Sequence, residues 1–260
     1  MNLALRPQPV DPTRVQLMLT CLADAFYQTT GMATVQVLEH AGCKVSFPEN
    51  QTCCGQPAFN AGDWPASREV VRHTCKVFKG NSPILVPSGS CAAMMFHGAP
   101  LEFEKESDAD TIHAVGQRTW ELADYLVNVL GITTWPGKFP HKIAFHTSCH
   151  SRGTKSGEAA LALLSSIEGC EVVLIGDAEQ CCGFGGAFSV TFPNISASMG
   201  RLKLDHVQAT APDYLVSSDL GCIMHLTGLI NREGRPLKTL HLAEVLAASL
   251  EEEAVEEEIG

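Results

Sequence analysis

The sequence lacks any long apolar run. No window approaches the roughly 20 apolar residues that cross a bilayer, so no integral membrane segment is expected. Basic residues are scarce: 18 Lys and Arg stand against 29 Asp and Glu, a net charge of −11. That balance argues against nucleic acid or an anionic membrane surface as a partner. No strand runs into a Gly-x-Gly-x-x-Gly, and no Walker-type Gly-Lys-Ser/Thr is present, so no bound nucleotide or flavin is expected. The first ten residues hold one arginine and two prolines but no apolar h-region, so no export signal is expected there.

Cysteine, by contrast, is plentiful, with 11 in 260 residues. The number is odd, the spacing is unlike a small disulfide framework, and a chain of this size needs no staples. A reduced cytoplasmic setting is expected. Eight of the cysteines fall into two copies of one pattern, Cys-x31-Cys-Cys-x36/39-Cys, in which glycine follows each pair. The first copy is Cys21, Cys53, Cys54 and Cys91; the second is Cys149, Cys181, Cys182 and Cys222. Adjacent cysteines are poor disulfide partners, because their α-carbons are only about 3.8 Å apart and a relaxed bridge wants roughly 4.4–6.8 Å. Two neighbouring thiols joined by two distant ones instead suit a metal or iron–sulfur site. Gly55 and Gly183 suit a backbone that wraps closely with positive φ.

The two halves also read alike as elements. Val15–Thr20, Cys43–Phe47 and Ile84–Pro87 look like strands in the first, with helical patterns over Met32–His40 and Trp64–Lys79. Lys142–His146, Glu171–Ile175 and Tyr214–Ser217 are their counterparts, with helices over Glu158–Ile167 and Ile195–Ala209. Glu121–Leu126 and His241–Leu246 match as closing helices. Gly131–Pro140 reads as a linker, dividing the chain into repeats over 1–135 and 136–260. The acidic run after Leu250 reads as a solvated helix end or tail. Strands alternating with helices imply parallel pairing by right-handed crossovers. The expected fold is α/β: two similar lobes from an internal duplication, each a small parallel sheet with flanking helices. In each half the lone cysteine, the pair and the distal cysteine all follow strand ends, where ligands of open α/β sheets bind.

These residues resemble the CCG cysteine-rich domain found in heterodisulfide reductase, in the iron–sulfur subunit of glycolate oxidase and in anaerobic glycerol-3-phosphate dehydrogenase. Gln51–Ala58, Pro87–Ala92, Cys181–Gly186 and Asp219–Cys222 are most similar to a stand-alone two-repeat branch serving lactate utilization. No ferredoxin-like Cys-x2-Cys-x2-Cys run precedes them. The resemblance covers about Val15 to Leu250. It implies a cytoplasmic L-lactate-oxidising system in which this chain is an iron–sulfur electron-transfer subunit, working with two companion lactate utilization proteins, one of them ferredoxin-like. It also implies the eight cysteines as cluster ligands.

The full family motif ends Cys-x-x-Cys and holds a non-cubane cluster with five cysteines. Here Met94 and His225 stand at the fifth positions. Four cysteines per repeat are enough for an ordinary [4Fe–4S] cluster, one in each half. His225 offers a further nitrogen ligand and Met94 only a weak thioether. His146 and His150 also adjoin the second site in sequence, where an imidazole can tune a potential or relay protons. Cys43, Cys75 and Cys170 lie outside the pattern and read as packing residues. Arg152 and Lys155 follow Cys149 and suit either solvation or an anionic partner. Two other readings stay open: a zinc-binding cysteine-rich scaffold and a metal-free thiol oxidoreductase.

Overall fold

The computed structural model describes residues 6–175 and 179–259. The first half runs β1 (Arg14–Leu17), α1 (Cys21–Phe26), α2 (Gln28–His40), β2 (Lys44–Ser46), α3 (Gln56–Asn60), α4 (Trp64–Val77), β3 (Ile84–Val86) and α5 (Gly89–Ala93). A π-helical turn over Met94–Gly98 leads to α6 (Ala99–Glu102), α7 (Ala109–Gln117), β4 (Thr119–Glu121) and α8 (Leu122–Asn128). The second half repeats the plan with β5 (Lys142–His146), α9 (Ser156–Ser166), β6 (Glu171–Val173), α10 (Ala187–Thr191) and α11 (Pro193–Gln208). It closes with β7 (Tyr214–Ser217), α12 (Leu220–Glu233), β8 (Lys238–His241) and α13 (Leu242–Ile259).

Each half forms a four-stranded, all-parallel sheet, in the orders β2-β1-β3-β4 and β6-β5-β7-β8. The same order in both halves is what an internal duplication predicts. The apolar run Ile84-Leu85-Val86 is buried throughout because helices cover both faces of its sheet. The edge strands β2 and β6 carry exposed and charged residues instead, which discourages pairing with another chain. The strand order reverses beside β1 and β5, and the loops that leave the carboxyl ends there are the ones bearing cysteine.

β4 and β8 go beyond the sequence expectation. Each is three or four residues long and runs straight into a helix, too short for a period to register. The closing helices were expected, but their packing was not. α8 packs against α9, and α13 packs against α2, so each half's closing helix covers the first crossover helix of the other half. Thr29 and Thr30 on α2 both donate to Glu244 Oε1 on α13, at 2.9 Å each. One apolar core consequently runs through both halves, from Val37, Leu38 and Tyr125 to Ile143, Leu163 and Leu246. The Gly131–Pro140 segment is fastened down as well. Trp135 Nε1 donates to Leu246 O at 2.9 Å, and the Lys138 and Phe139 amides donate to Ser249 O and Glu168 O. Among the described residues no helix is long and apolar enough to cross a membrane.

Candidate metal centre

Cys21 opens α1, whose cap is Thr20: its hydroxyl accepts from the Ala23 amide at 3.3 Å. Cys53 and Cys54 sit in the loop after β2, and Cys91 lies in the first turn after β3. The second half places Cys149 in a short 3-10 turn after β5, Cys181 and Cys182 after β6, and Cys222 in the first turn of α12. The sulfurs of each half form a chain of contacts. Cys54 Sγ lies 3.3 Å from Cys91 Sγ, and Cys21, Cys53 and Cys54 stand near enough to shift one another's titration. Likewise Cys182 Sγ is 3.0 Å from Cys222 Sγ, and Cys149, Cys181 and Cys182 stand near enough to shift one another's titration. The structure thus brings the four cysteines of each half near one another.

The loop at each pair is built the same way. Gly55 and Gly183 both have φ of 92°, a left-handed conformation that side chains disfavour. A buried serine from the second helix that follows, α4 or α11, then ties each loop down. Ser67 donates to Gly55 O at 3.3 Å and Ser196 to Gly183 O at 2.7 Å. Hydrogen bonds from neighbouring thiols hold Cys53 and Cys181 well below the ordinary thiol range; Cys21 and Cys149 respectively contribute most. The thiols of Cys21, Cys54, Cys149 and Cys182 are pushed the other way. The Gly183 amide also donates to Cys181 Sγ, at 3.3 Å.

The two sets do not occupy separate clefts. All eight cysteines line one cavity of about 300 Å³, together with Leu22, Pro57, Phe184, Val190 and Leu220. Asp219 joins its two sides. Its Oδ1 accepts from the Gly221 and Cys222 amides at 3.1 and 3.3 Å, capping the helix that carries Cys222. Its Oδ2 accepts from the Ser90 amide at 2.7 Å and from Ser88 Oγ at 3.3 Å, beside Cys91. Sequence reasoning assigned Asp219 no role. The signal available was an aspartate three residues before a cysteine at a helix start.

The histidines divide. His150 lines the cavity with Nδ1 3.5 Å from Cys149 Sγ. His225 is half-buried and turns toward α11: its Nε2 lies 3.3 Å from Ser196 O and 3.5 Å from Ser196 Oγ, outside the cavity lining. His146 is buried beside the sulfurs, where burial lowers its pKa to about 4. One of its ring nitrogens and the sulfurs of Cys182 and Cys222 all lie within 4.8 Å of one another. Met94 is buried in the first half's core, with its sulfur packed over Gly98. Arg152 and Lys155 are exposed and outside the cavity lining. Cys43, Cys75 and Cys170 also lie apart from the cavity, and burial pushes each of their pKa values up to about 11. The donor chemistry, eight thiols and the His150 imidazole lining the cavity with the unpartnered His146 imidazole buried outside the lining near Cys182 and Cys222, fits an iron–sulfur or other thiolate-bound metal group.

A family model described as a cysteine-rich domain, CCG, matches residues 15–96 and 143–227. The chain belongs to the CCG cysteine-rich domain family. Among its relatives is lactate utilization protein A of Geobacillus thermodenitrificans, 42% identical over 240 residues that cover 90% of this chain and 98% of that one. Lactate utilization protein A of Shouchella clausii is 42% identical over 238 residues, covering 89% and 98%. Lactate utilization protein A 2 of Bacillus cereus is 40% identical over 240 residues, covering 91% and 99%. The crystal structure of a hypothetical protein from Helicobacter pylori has the same fold, with a TM-score of 0.63 at 11% identity; the match spans 93% of this chain and half of that one.

Proposed function

We propose that this protein is an iron–sulfur electron-transfer subunit of a cytoplasmic L-lactate-oxidising system. The observation that carries the reading is the convergence of eight thiols, four from each half, on one shared cavity. Cys21, Cys53, Cys54 and Cys91 hold one cluster, and Cys149, Cys181, Cys182 and Cys222 the other, each a [4Fe–4S] centre. Such clusters supply one-electron transfer when bound. The chain contributes soft ligands at strand ends, a thiolate favoured at Cys53 and Cys181, and an apolar rim that limits water. The substrate class follows from the names of the relatives. Companion lactate utilization proteins, one of them ferredoxin-like, are the expected electron partners.

The test is anaerobic purification followed by iron, sulfide and zinc analysis and an absorption spectrum. Brown protein with iron and sulfide near eight each per chain, two [4Fe–4S] centres, is the expected result. A colourless protein with stoichiometric zinc supports a scaffold instead. A colourless, metal-free protein with rapidly titrating thiols supports a thiol oxidoreductase.

A further inference from the structure

A buried polar side chain normally has a hydrogen-bond partner, and a histidine with both ring nitrogens bare needs an explanation. His146 is 1% exposed, and neither Nδ1 nor Nε2 has a partner. It is the last residue of β5, a central strand, so its backbone is held rigidly by β7 through pairing with Ser217. Its imidazole shares a 4.8 Å neighbourhood with the Cys182 and Cys222 sulfurs, both buried. A neutral imidazole and thiolates are compatible ligands for iron and for zinc.

The first half makes the same position different. His146 stands three residues before Cys149; three residues before Cys21 stands Met18. Met18 is equally buried, at 1%, and packs in the cluster that contains Cys54 and, at its margin, Cys53 and Cys91. Its amide continues the β1–β3 ladder by donating to Leu85 O at 2.8 Å. The two sites therefore share thiols, loops and topology but differ in the side chain behind the sulfurs.

We infer that His146 is a nitrogen ligand of the metal group in the second half, where the first half has only the thioether of Met18. This rests on the reading that the thiols hold a metal group. It makes the two centres chemically unequal: in the second the nitrogen takes the place of one of the four thiolates, and that replacement raises the potential of an iron–sulfur centre. The second centre is then the one that fills with electrons first. His225, bonded to Ser196, does not supply this nitrogen.

The test uses the full chain, purified anaerobically after growth on ¹⁵N-histidine, with metal content measured first. Iron-loaded protein is brought to its paramagnetic state for electron–nuclear double resonance; zinc-loaded protein is read at the zinc X-ray edge. The expected result is a directly bonded histidine nitrogen in the native protein and in His225→Ala, lost in His146→Met. In iron-loaded protein, His146→Met should also draw the higher of the two potentials toward the lower. The reverse substitution, Met18→His, should add a second nitrogen-coupled centre, and it keeps the test usable if His146→Met does not fold. Metal present with no such nitrogen in the native protein, or with the nitrogen kept in His146→Met, overturns the assignment of His146 alone. Native protein that carries no metal overturns both that assignment and the metal-centre reading.

Discussion

Glu121 illustrates how burial sets a residue's chemistry. It precedes α8 and is 2% exposed; Oε2 accepts from the Asp124 amide at 3.1 Å, while Oε1 has no partner. Burial, with Asp124 nearby, pushes its pKa from 4.5 to about 8. The folded state thus binds this proton more tightly than the unfolded chain. The stability linked to that proton is fully present below the ordinary carboxylate pKa and is lost as pH rises from there through about 8. Glu121→Gln should accordingly melt near the native protein at pH 4.5 but be more stable at pH 8, by on the order of a few kcal/mol. Thermal melts of both proteins at the two pH values check this, and an equal difference at both would remove burial of the charge as the cause. Cys75 is a simpler case. It is partly buried against the first half's core, so Cys75→Ala should cost about 1 kcal/mol and leave metal content unchanged.

At the scale of elements, the loops after β2 and β6 decide where the paired sulfurs stand, and their glycines are not equally constrained. A β-carbon at Gly183 would stand 2.5 Å from Ser196 O, a backbone atom of α11. At Gly55 its nearest neighbour would be the Ser67 hydroxyl, at 3.2 Å. Both positions also carry the cost of a left-handed non-glycine residue, about 1–2 kcal/mol. Gly183→Ala should therefore destabilise the protein more than Gly55→Ala, and it should deplete metal from the second half selectively. Denaturant melts and metal analysis of the two variants decide the order. These glycines were readable in advance, since a residue following a double-cysteine turn has few other conformations that keep both sulfurs on one side. β4 and β8 were not, because a strand of three or four residues carries no usable period and exists only through its neighbour in the sheet.

Across the whole molecule, Asp219 links the helix starts that carry Cys91 and Cys222. Losing a helix cap typically costs about 1 kcal/mol, and hydrogen bonds to a buried charge add about 1.5–3 kcal/mol. Asp219→Ala should lower stability and raise the labelling rates of Cys91 and Cys222 together in metal-free protein, measured by mass spectrometry after brief alkylation. Faster labelling of Cys222 alone would reduce Asp219 to an ordinary cap. The exchange of closing helices works at the same scale: α8 on α9 and α13 on α2 place one core under both sheets. That arrangement holds the two cysteine sets face to face.

Cysteine spacing by itself determined that there are two matching cysteine sets and which eight residues compose them. The alternation of strands and helices determined parallel sheets with those residues at the strand ends. Both are local facts, written within a repeat of about a hundred residues. The shared cavity, the bridging role of Asp219 and the choice of His146 over His225 beside the sulfurs were decided only by tertiary structure. Each depends on how one half is turned against the other, or on which way a side chain leaves its backbone. Packing settles those directions among segments far apart in the chain, and no local pattern of residues records them.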